Sequence, residues 1–302
     1  MPLRTITVCD NKHRTDYIKK INIENCLDSD RKINFNEQII SQEASQGIKS
    51  LILGGILYNY NVNLNYPKKM PKNIEFQYCN TLNEALNFGK NFIGIKNYYG
   101  FLSYDTDVVN WINQGLIHVN NAFKGKAVMP NQIVYYNLIG EPDDLIGGCM
   151  TSDGNMIISK DYINTIKNAV KSYFDGDKYS RYIDKIEERK NFTRWINVFI
   201  KIINNIPELA EKLNLYTSTY SVISHEMGHF QHCINKKSNL ADLKKNFAEV
   251  FEESKQIALC VSKYAGTSPT EFVAECFAQM ADGIKLDNDV MKLYKKLGGL
   301  VV

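Results

Sequence analysis

The sequence has no closely paired cysteines, no long apolar run and no block of like charges. Its seven cysteines lie at positions 9, 26, 79, 149, 233, 260 and 276 without a C-x-x-C pair. This spacing indicates neither a disulfide framework nor an all-thiolate zinc site. The most apolar run, SLILGGILYNY, is far too short to cross a bilayer, so we expect no membrane span.

Charge and composition exclude two further classes of partner. The 36 basic and 33 acidic residues leave a formal net charge of +3 and are interspersed, so we expect no nucleic-acid partner and no membrane-surface patch. The first seventeen residues lack the apolar segment of a secretory signal. Together with the scattered cysteines, this predicts a reducing compartment such as the cytoplasm.

The chain has no repeat of fixed period and no composition-biased linker, so domain boundaries are indistinct. Residues 1–125 are predicted to form a mixed, mostly helical domain of unknown role, with a helix over 36–60 and a strand followed by a helix in FQYCNTLNEALNFGKNF. Within residues 126–302, the run 133–139 predicts a strand, and GGCMTSDGNMIIS predicts a hairpin at the rim of a sheet. Amphipathic helices follow, and the predicted fold class is α+β.

The stretch SHEMGHFQHC, residues 224–233, lies in a predicted amphipathic helix. Apolar residues spaced alternately by four and three form a stripe that faces a core. At about 100° per residue, three histidines fall on the opposite side. The stripe consists of Tyr216, Tyr220, Ile223, Met227, Phe230 and Ile234, and the histidines are His225, His229 and His232.

The string H-E-x-x-H within this helix suits metal chemistry. His225 and His229 are one turn apart, so both imidazoles can reach one ion at the ~2.0–2.1 Å that zinc requires. Glu226 flanks them, where its carboxylate can act on water without ligating the metal. The alternative is a solvated polar face. His232 lies a further turn along, so we expect it to be a contact beyond the ligands or simply exposed.

A catalytic zinc site needs a third protein ligand from another element. The sequence offers the pair Glu249 and Glu253 in FAEVFEES, and the pair Glu271 and Glu275 in SPTEFVAECFAQM. Glu249 follows His229 by twenty residues, a separation similar to that in thermolysin-type enzymes. Helical periodicity favours the second pair, because Glu271 and Glu275 share the face opposite an apolar side.

Glu271 has a structural alternative. The string Ser268-Pro269-Thr270-Glu271 fits a capping box, in which Ser268 is the N-cap and Glu271 reaches back to the start of the helix. The spacing alone leaves both roles for Glu271 open.

HEMGH and the downstream segment NFAEVFEESKQIALCVSKYAGTSPTEFVAECFAQM together resemble the catalytic domain of anthrax lethal-factor-like zinc metalloproteases. The same signature is similar to that of bacterial Pro-Pro endopeptidases. In that family a tyrosine precedes a glutamate ligand by seven residues, within an E-F-x-A-E-x-F string. Tyr264, Glu271 and EFVAECF match this pattern. The resemblance covers residues 217–282 most closely, and 130–302 as a domain.

The resemblance implies a zincin-like metalloprotease domain over residues 126–302, with a small mixed sheet and the HExxH helix. It implies a zinc endopeptidase that cleaves a protein or peptide substrate, as a toxin or effector subunit that a carrier protein delivers to a host cytosol or that is exported unconventionally. Glu249 would lie away from the metal. The implied zinc ligands are His225, His229 and Glu271, the catalytic residues are Glu226 as general base and Tyr264 at the oxyanion, and Glu275 would orient a histidine ligand.

Peptides in such clefts are usually held extended, so either arm of the predicted hairpin, GGCMT or NMIIS, is a candidate edge strand for binding substrate. The substrate-binding residues predicted from the first arm are Gly147, Gly148, Cys149 and Met150. Glycines suit an edge that admits another backbone. Cys149 has no histidine near it in sequence, so we expect a bystander thiol and no nucleophile.

Two other functions remain open from the sequence. The chain could be a non-catalytic zincin-like structural or interaction protein, such as a virion or secretion-apparatus component, in which a metal only stabilises the fold. Residues 1–125 could form a docking domain for a receptor or carrier.

Overall fold

The protein is seen in a computed structural model in which helices outnumber strands. It describes residues 74–136, 147–151, 154–173, 192–204 and 218–301, Met70 and two short strands near the start of the chain. Those two strands, β1 (Arg4–Thr5) and β2 (Lys20–Ile21), pair antiparallel. The helix predicted over 36–60 lies outside the described residues.

A mixed four-stranded sheet forms the β part of the fold. Its strands are β3 (Asn97–Tyr99), β4 (Gln132–Tyr136), β5 (Gly148–Met150) and β6 (Asn155–Ser159). The spatial order is β3-β4-β6-β5, and only β5 runs antiparallel to its neighbour. The predicted hairpin is therefore confirmed, with β5 the last strand in the order. The α+β fold class is confirmed as well.

Ten α-helices are present in the described ranges. They are α1 (Leu82–Phe88), α2 (Thr106–Ala122), α3 (Lys160–Tyr173), α4 (Phe192–Asn204), α5 (Ser221–Lys236), α6 (Leu240–Asn246), α7 (Ala248–Glu253), α8 (Lys255–Leu259), α9 (Pro269–Ala281) and α10 (Asn288–Leu297). A 3₁₀ turn, Ala265–Thr267, precedes α9. No helix in the described ranges is long and apolar enough to cross a membrane.

The strand predicted at FQYC is wrong, whereas the helix after it is right. A capping box of Thr81 and Glu84 starts α1. Ahead of it, the backbone N–H and C=O of Cys79 both bond to the side-chain amide of Asn110, at 3.1 and 2.8 Å. The Asn110 amide thus takes the place of a partner strand.

Two hydrophobic cores organise the described residues. The larger core joins one face of the sheet, including Ile133 and Met156, to side chains of α2, α3, α4 and α5. The smaller core lies among α7, α9 and α10, around Phe272 and Tyr294. Because α2 belongs to the larger core, a boundary at residue 125 would fall inside it; the division into domains stays a prediction.

Helices α5 and α9 approach each other very closely, and Gly228 makes this possible. A Cβ on Gly228 would lie 2.7 Å from the Cα of Ala274 and 3.0 Å from the Cβ of Phe277. Any side chain at position 228 would therefore push the two helices apart. This contact brings the HExxH helix against the start of α9.

We expect Gly228→Ala to destabilise the protein by about 1–3 kcal/mol, because overpacking against backbone outweighs the roughly 1 kcal/mol gain in helix propensity. Gly115→Ala is the matched control. Gly115 also lies within a helix, but its added Cβ would meet only side-chain atoms, Cδ1 and Cγ2 of Ile223 and Cδ1 of Tyr220, and no backbone atom within 4 Å among the nearest neighbours. Urea unfolding of both variants measures the effect. Equal unfolding free energies for the two variants would contradict the tight helix contact.

Candidate metal centre

The HExxH helix, α5, is buried on both sides. Ile223 and Met227 lie in the larger core, as predicted. The opposite side is not the solvated polar face of the alternative interpretation, because His225, Glu226 and His229 are each at most 6% exposed. α5 begins at Ser221, so the predicted stripe holds within the helix, while Tyr216 lies outside the described residues.

The beginning of α9 carries Glu271 to this buried face. Ser268 caps the helix, its hydroxyl accepts from the N–H of Glu271 at 3.2 Å, and Pro269 occupies the first helical position. The carboxylate of Glu271 does not reach back to the cap, however. It points at the histidines of α5, so the cap uses the backbone of Glu271 and leaves its side chain for the site.

A single oxygen of Glu271 lies between the two imidazoles. Its Oε2 is 3.0 Å from Nε2 of His225 and 3.2 Å from Nε2 of His229. The two rings lie 4.8 Å apart between centroids and are almost perpendicular, at 84°. The three residues form a buried group whose donor atoms all lie within 4.8 Å of one another.

These separations fit a tetrahedral metal. Zinc bonds of ~2.0–2.1 Å imply about 3.3 Å between neighbouring donor atoms, close to the two oxygen–nitrogen distances. Two imidazoles and one carboxylate are also the donor types of catalytic zinc sites that keep one position for a water molecule or substrate. The residues therefore fit a zinc ion.

The charges of the three residues are coupled. Burial alone would lower the pKa of His225, but hydrogen bonds that its ring donates to Glu271 and Glu275, and the negative charges of both carboxylates, raise that pKa well above its usual value. Burial alone would raise the pKa of Glu271, but the charge of His229 and hydrogen bonds from both histidines hold it far below its usual value. Glu271 is thus ionised, as a metal ligand must be.

Glu275 holds His225 from the other side of the ring. Its Oε1 lies 2.8 Å from Nδ1 of His225, and its Oε2 accepts from the hydroxyl of Ser262 at 3.0 Å. An ionised carboxylate only accepts, so Nδ1 carries a proton and Nε2 is the atom that faces Glu271. The predicted contact between Glu275 and a histidine is present, whereas its role of orienting a zinc ligand stays a prediction.

Glu226 lies between α5 and β5. A Cβ on Gly148 would be 2.9 Å from Cγ of Glu226, 3.3 Å from its Oε1 and 3.1 Å from the carbonyl of Ile157. The strand can approach the glutamate so closely only because residue 148 has no side chain. The geometry places Glu226 beside the predicted substrate strand.

The ring of Tyr264 lies near the ring of His225. The two rings are 5.6 Å apart between centroids, and the tyrosine is 7% exposed. Burial raises the pKa of Tyr264 well above its usual value, and the negative charges of Glu271, Glu226 and Glu275 raise it further. Its phenol therefore stays protonated and able to donate a hydrogen bond.

The proposed substrate strand is close to the site, but its side chains are buried. Gly147, Gly148, Cys149 and Met150 are all buried, and Gly147 lies against Val222 of α5. Cys149 is buried and takes part in no disulfide bond, and its role as a bystander thiol stays a prediction. Substrate pairing along β5 stays a prediction.

The other acidic pair lies away from the histidines. Glu249 and Glu253 lie on α7, and both are exposed. Neither belongs to the buried group of metal-ligand type. The thermolysin-like alternative therefore has no geometric support in the described residues.

Two situations were expected for His232, a contact beyond the ligands or an exposed side chain, and only the second is wrong. His232 is 0% exposed, and its Nε2 donates to the carbonyl of Leu297 at 2.8 Å. Its ring also stacks on Phe247, at 6.1 Å between centroids. It does not belong to the group of His225, His229 and Glu271. Burial lowers the pKa of His232 to about 4, so the imidazole is neutral at pH 7.

Sequence reasoning missed two residues that shape the site. Gly228 lies within HEMGH, and its contacts with α9 cannot be inferred from the sequence, because α9 is distant along the chain. Ser262 bonds to Glu275 from the loop before Tyr264, and no helical or strand spacing links those two positions. The small residues Ala274 and Ala278, near Glu271 and Glu275 in the sequence, are the signal for a close helix contact.

Comparison with known proteins identifies no relative. No protein-family model matches the chain, no curated protein matches it, and no solved structure matches it.

The low pKa of His232 predicts a pH effect on stability. Its folded pKa of about 4 lies below the usual 6.5, so the stabilisation is present above pH 6.5 and is lost as pH falls toward 4. Between pH 7 and 4.5, metal-free wild type should lose about 2–3 kcal/mol more than His232→Gln, which keeps a donor for Leu297. Urea unfolding at both pH values measures this. Parallel pH dependences for the two proteins would contradict the burial of a neutral imidazole.

Proposed function

We propose that the chain is a zinc-dependent endopeptidase of the zincin type, with residues 126–302 as the catalytic domain. The supporting observation is that Glu271, 46 positions after His225, lies within 3.0–3.2 Å of Nε2 of both histidines in a buried site. A shared metal ion would account for the convergence of two imidazoles and a carboxylate from two helices in one buried site. The resemblance of HEMGH and EFVAECF to lethal-factor-like proteases points to the same function.

His225, His229 and Glu271 would hold the zinc ion. Bound there, zinc supplies a Lewis acid that polarises the scissile carbonyl and lowers the pKa of water toward ~7. Glu275 keeps the Nδ1 proton of His225 in place, so that Nε2 presents its lone pair to the metal.

Glu226 is the general base in this proposal. It follows His225 directly on α5, so it flanks the ligand face without being part of the ligand group. Its carboxylate takes a proton from the attacking water and later gives a proton to the leaving amine. Its position against Gly148 places this proton transfer beside the strand proposed to align the peptide.

Tyr264 would stabilise the oxyanion of the tetrahedral intermediate. Its raised pKa keeps the hydroxyl proton in place, and its ring lies next to His225. A neutral donor aimed at the developing charge lowers the barrier without prior reorganisation.

The substrate class is an extended polypeptide that adds alongside β5. The toxin or effector role, the carrier protein and the identity of the substrate are predictions that rest on the resemblance alone. In the non-catalytic alternative the metal is still bound, but Glu226 has no catalytic role. Substitution of Glu226 therefore distinguishes the two functions.

Glu226→Gln should abolish peptide cleavage while keeping the metal. Removing the base lowers a proton-transfer-dependent rate by about 10²–10⁴-fold, but Glu226 is no ligand. Zinc-loaded wild type and variant are incubated with an unstructured peptide library, and cleavage is followed by mass spectrometry.

Glu249→Gln is the matched control, since Glu249 is exposed on α7. It should cleave at the wild-type rate. Wild-type cleavage by Glu226→Gln would reject the proposed mechanism. A wild-type protein that binds zinc and cleaves no peptide would favour the structural alternative.

His225→Ala should lose the zinc that wild type retains against a competing chelator, because two remaining ligands cannot hold it. His118→Ala is the control. His118 is a partly exposed histidine that pairs with Asp282 at 2.8 Å, away from the buried group. Metal content after dialysis gives the answer. Retention of one zinc per chain by His225→Ala would exclude it as a ligand.

A further inference from the structure

We propose that Ser262 is a positioning residue that fixes both Glu275 and the turn carrying Tyr264, and thereby sets zinc affinity. This inference rests on the proposed function and adds a residue to it. Ser262 is half-buried in the loop between α8 and the 3₁₀ turn Ala265–Thr267. It is not one of the proposed zinc ligands, and its hydroxyl contacts Glu275 and Ala265.

The hydroxyl of Ser262 has two partners and a single orientation that serves both. Its Oγ lies 3.0 Å from Oε2 of Glu275 and 2.9 Å from the backbone N of Ala265. The N–H of Ala265 can only donate, so the Ser262 oxygen accepts there. Its one proton is therefore left for Glu275, which as a carboxylate can only accept.

The hydrogen bond from Ser262 provides a partner for the second oxygen of the buried Glu275 carboxylate. Glu275 is 1% exposed and divides its two oxygens between His225 and Ser262. With Oε2 held by the serine, Oε1 stays directed at Nδ1 of His225. The chain of contacts thus runs from Ser262 through Glu275 to a proposed zinc ligand.

The arrangement matters more because the other histidine has no such support. Nδ1 of His229 is buried and has no hydrogen-bond partner among the described residues. The orientation of the histidine pair then depends on Glu275 at His225. Loosening Glu275 would loosen the ligand set as a whole.

Ser262 also holds the backbone next to the proposed oxyanion donor. The backbone N–H of Ala265 donates to the hydroxyl oxygen of Ser262, and Ala265 is the residue directly after Tyr264. Beyond it, the carbonyl of Tyr264 accepts from the hydroxyl of Thr267 at 2.7 Å. One hydroxyl therefore connects the carboxylate that orients His225 with the turn that presents Tyr264 to the same ring.

The test measures zinc affinity of the full chain by competition with a chelator, and the visible spectrum of the Co²⁺-loaded protein. Ser262→Ala should bind zinc about tenfold more weakly, the lower end of the effect of removing a partner behind a metal ligand. The cobalt spectrum should change as His225 gains freedom. Ser262→Thr keeps a hydroxyl and should restore both.

Ser254→Ala is the matched control. Ser254 lies in the same region, partly exposed at the start of α8, and its side chain makes no capping hydrogen bond there. Its zinc affinity should equal that of wild type. If Ser262→Ala does not fold, Ser262→Cys replaces it, because a thiol is only a weak donor and should weaken binding to an intermediate degree.

A double-mutant cycle with Glu275→Gln separates positioning from a general loss of stability. If Ser262 acts through Glu275, Ser262→Ala should add little to the loss already caused by Glu275→Gln. Additive losses, or wild-type zinc affinity in Ser262→Ala or Ser262→Cys, would overturn the inference and leave the proposed function intact. Failure of wild type itself to bind zinc would instead overturn the proposed function.

Discussion

The close approach of α5 and α9 is the constraint on which the candidate site depends. Gly228 meets Ala274 with no room for a methyl group between them. This contact lies one residue before His229 and one before Glu275, so the two helices meet where the ligand-type side chains project. A wider crossing would leave the carboxylate of Glu271 out of reach of the imidazoles. The packing of Gly228 against Ala274 therefore sets the distances between the carboxylate of Glu271 and the two imidazoles.

The buried carboxylates of the site would be stabilised by a bound cation. Glu226, Glu271 and Glu275 are buried together, each at most 8% exposed. Buried charges are costly unless they are paired or bind metal ions. Without a metal, a protonated His225 between Glu271 and Glu275 supplies part of the compensation, in line with its raised pKa. A divalent cation would take over this role and release the Nε2 proton.

Much of the site could be predicted from local patterns. The HExxH spacing and the apolar stripe of Ile223 and Met227 specify the orientation of α5, and the shared face of Glu271 and Glu275 specifies that of α9. Both rest on helical periodicity, which is a property of neighbouring residues. The hairpin of β5 and β6 was predictable for a similar reason, since its strands flank a short turn. Choosing Glu271 over Glu249 needed the family resemblance.

What could not be predicted depends on contacts between distant segments. The burial of His232 could not be predicted because its partner, Leu297, lies 65 positions away along the chain. The strand expected before α1 failed because the side chain of Asn110 occupies the backbone of Cys79. Ser262 escaped notice because a loop serine carries no periodic signal. In each case the deciding interaction joins residues whose proximity only the folded chain creates.

The most direct measurement is a crystal structure of the zinc-loaded protein with anomalous scattering recorded at the zinc edge. We predict one strong anomalous peak at ~2.0–2.1 Å from Nε2 of His225, Nε2 of His229 and a carboxylate oxygen of Glu271. A peak at any other residues, or a Glu271 side chain turned away from both imidazoles with no peak beside them, would contradict it.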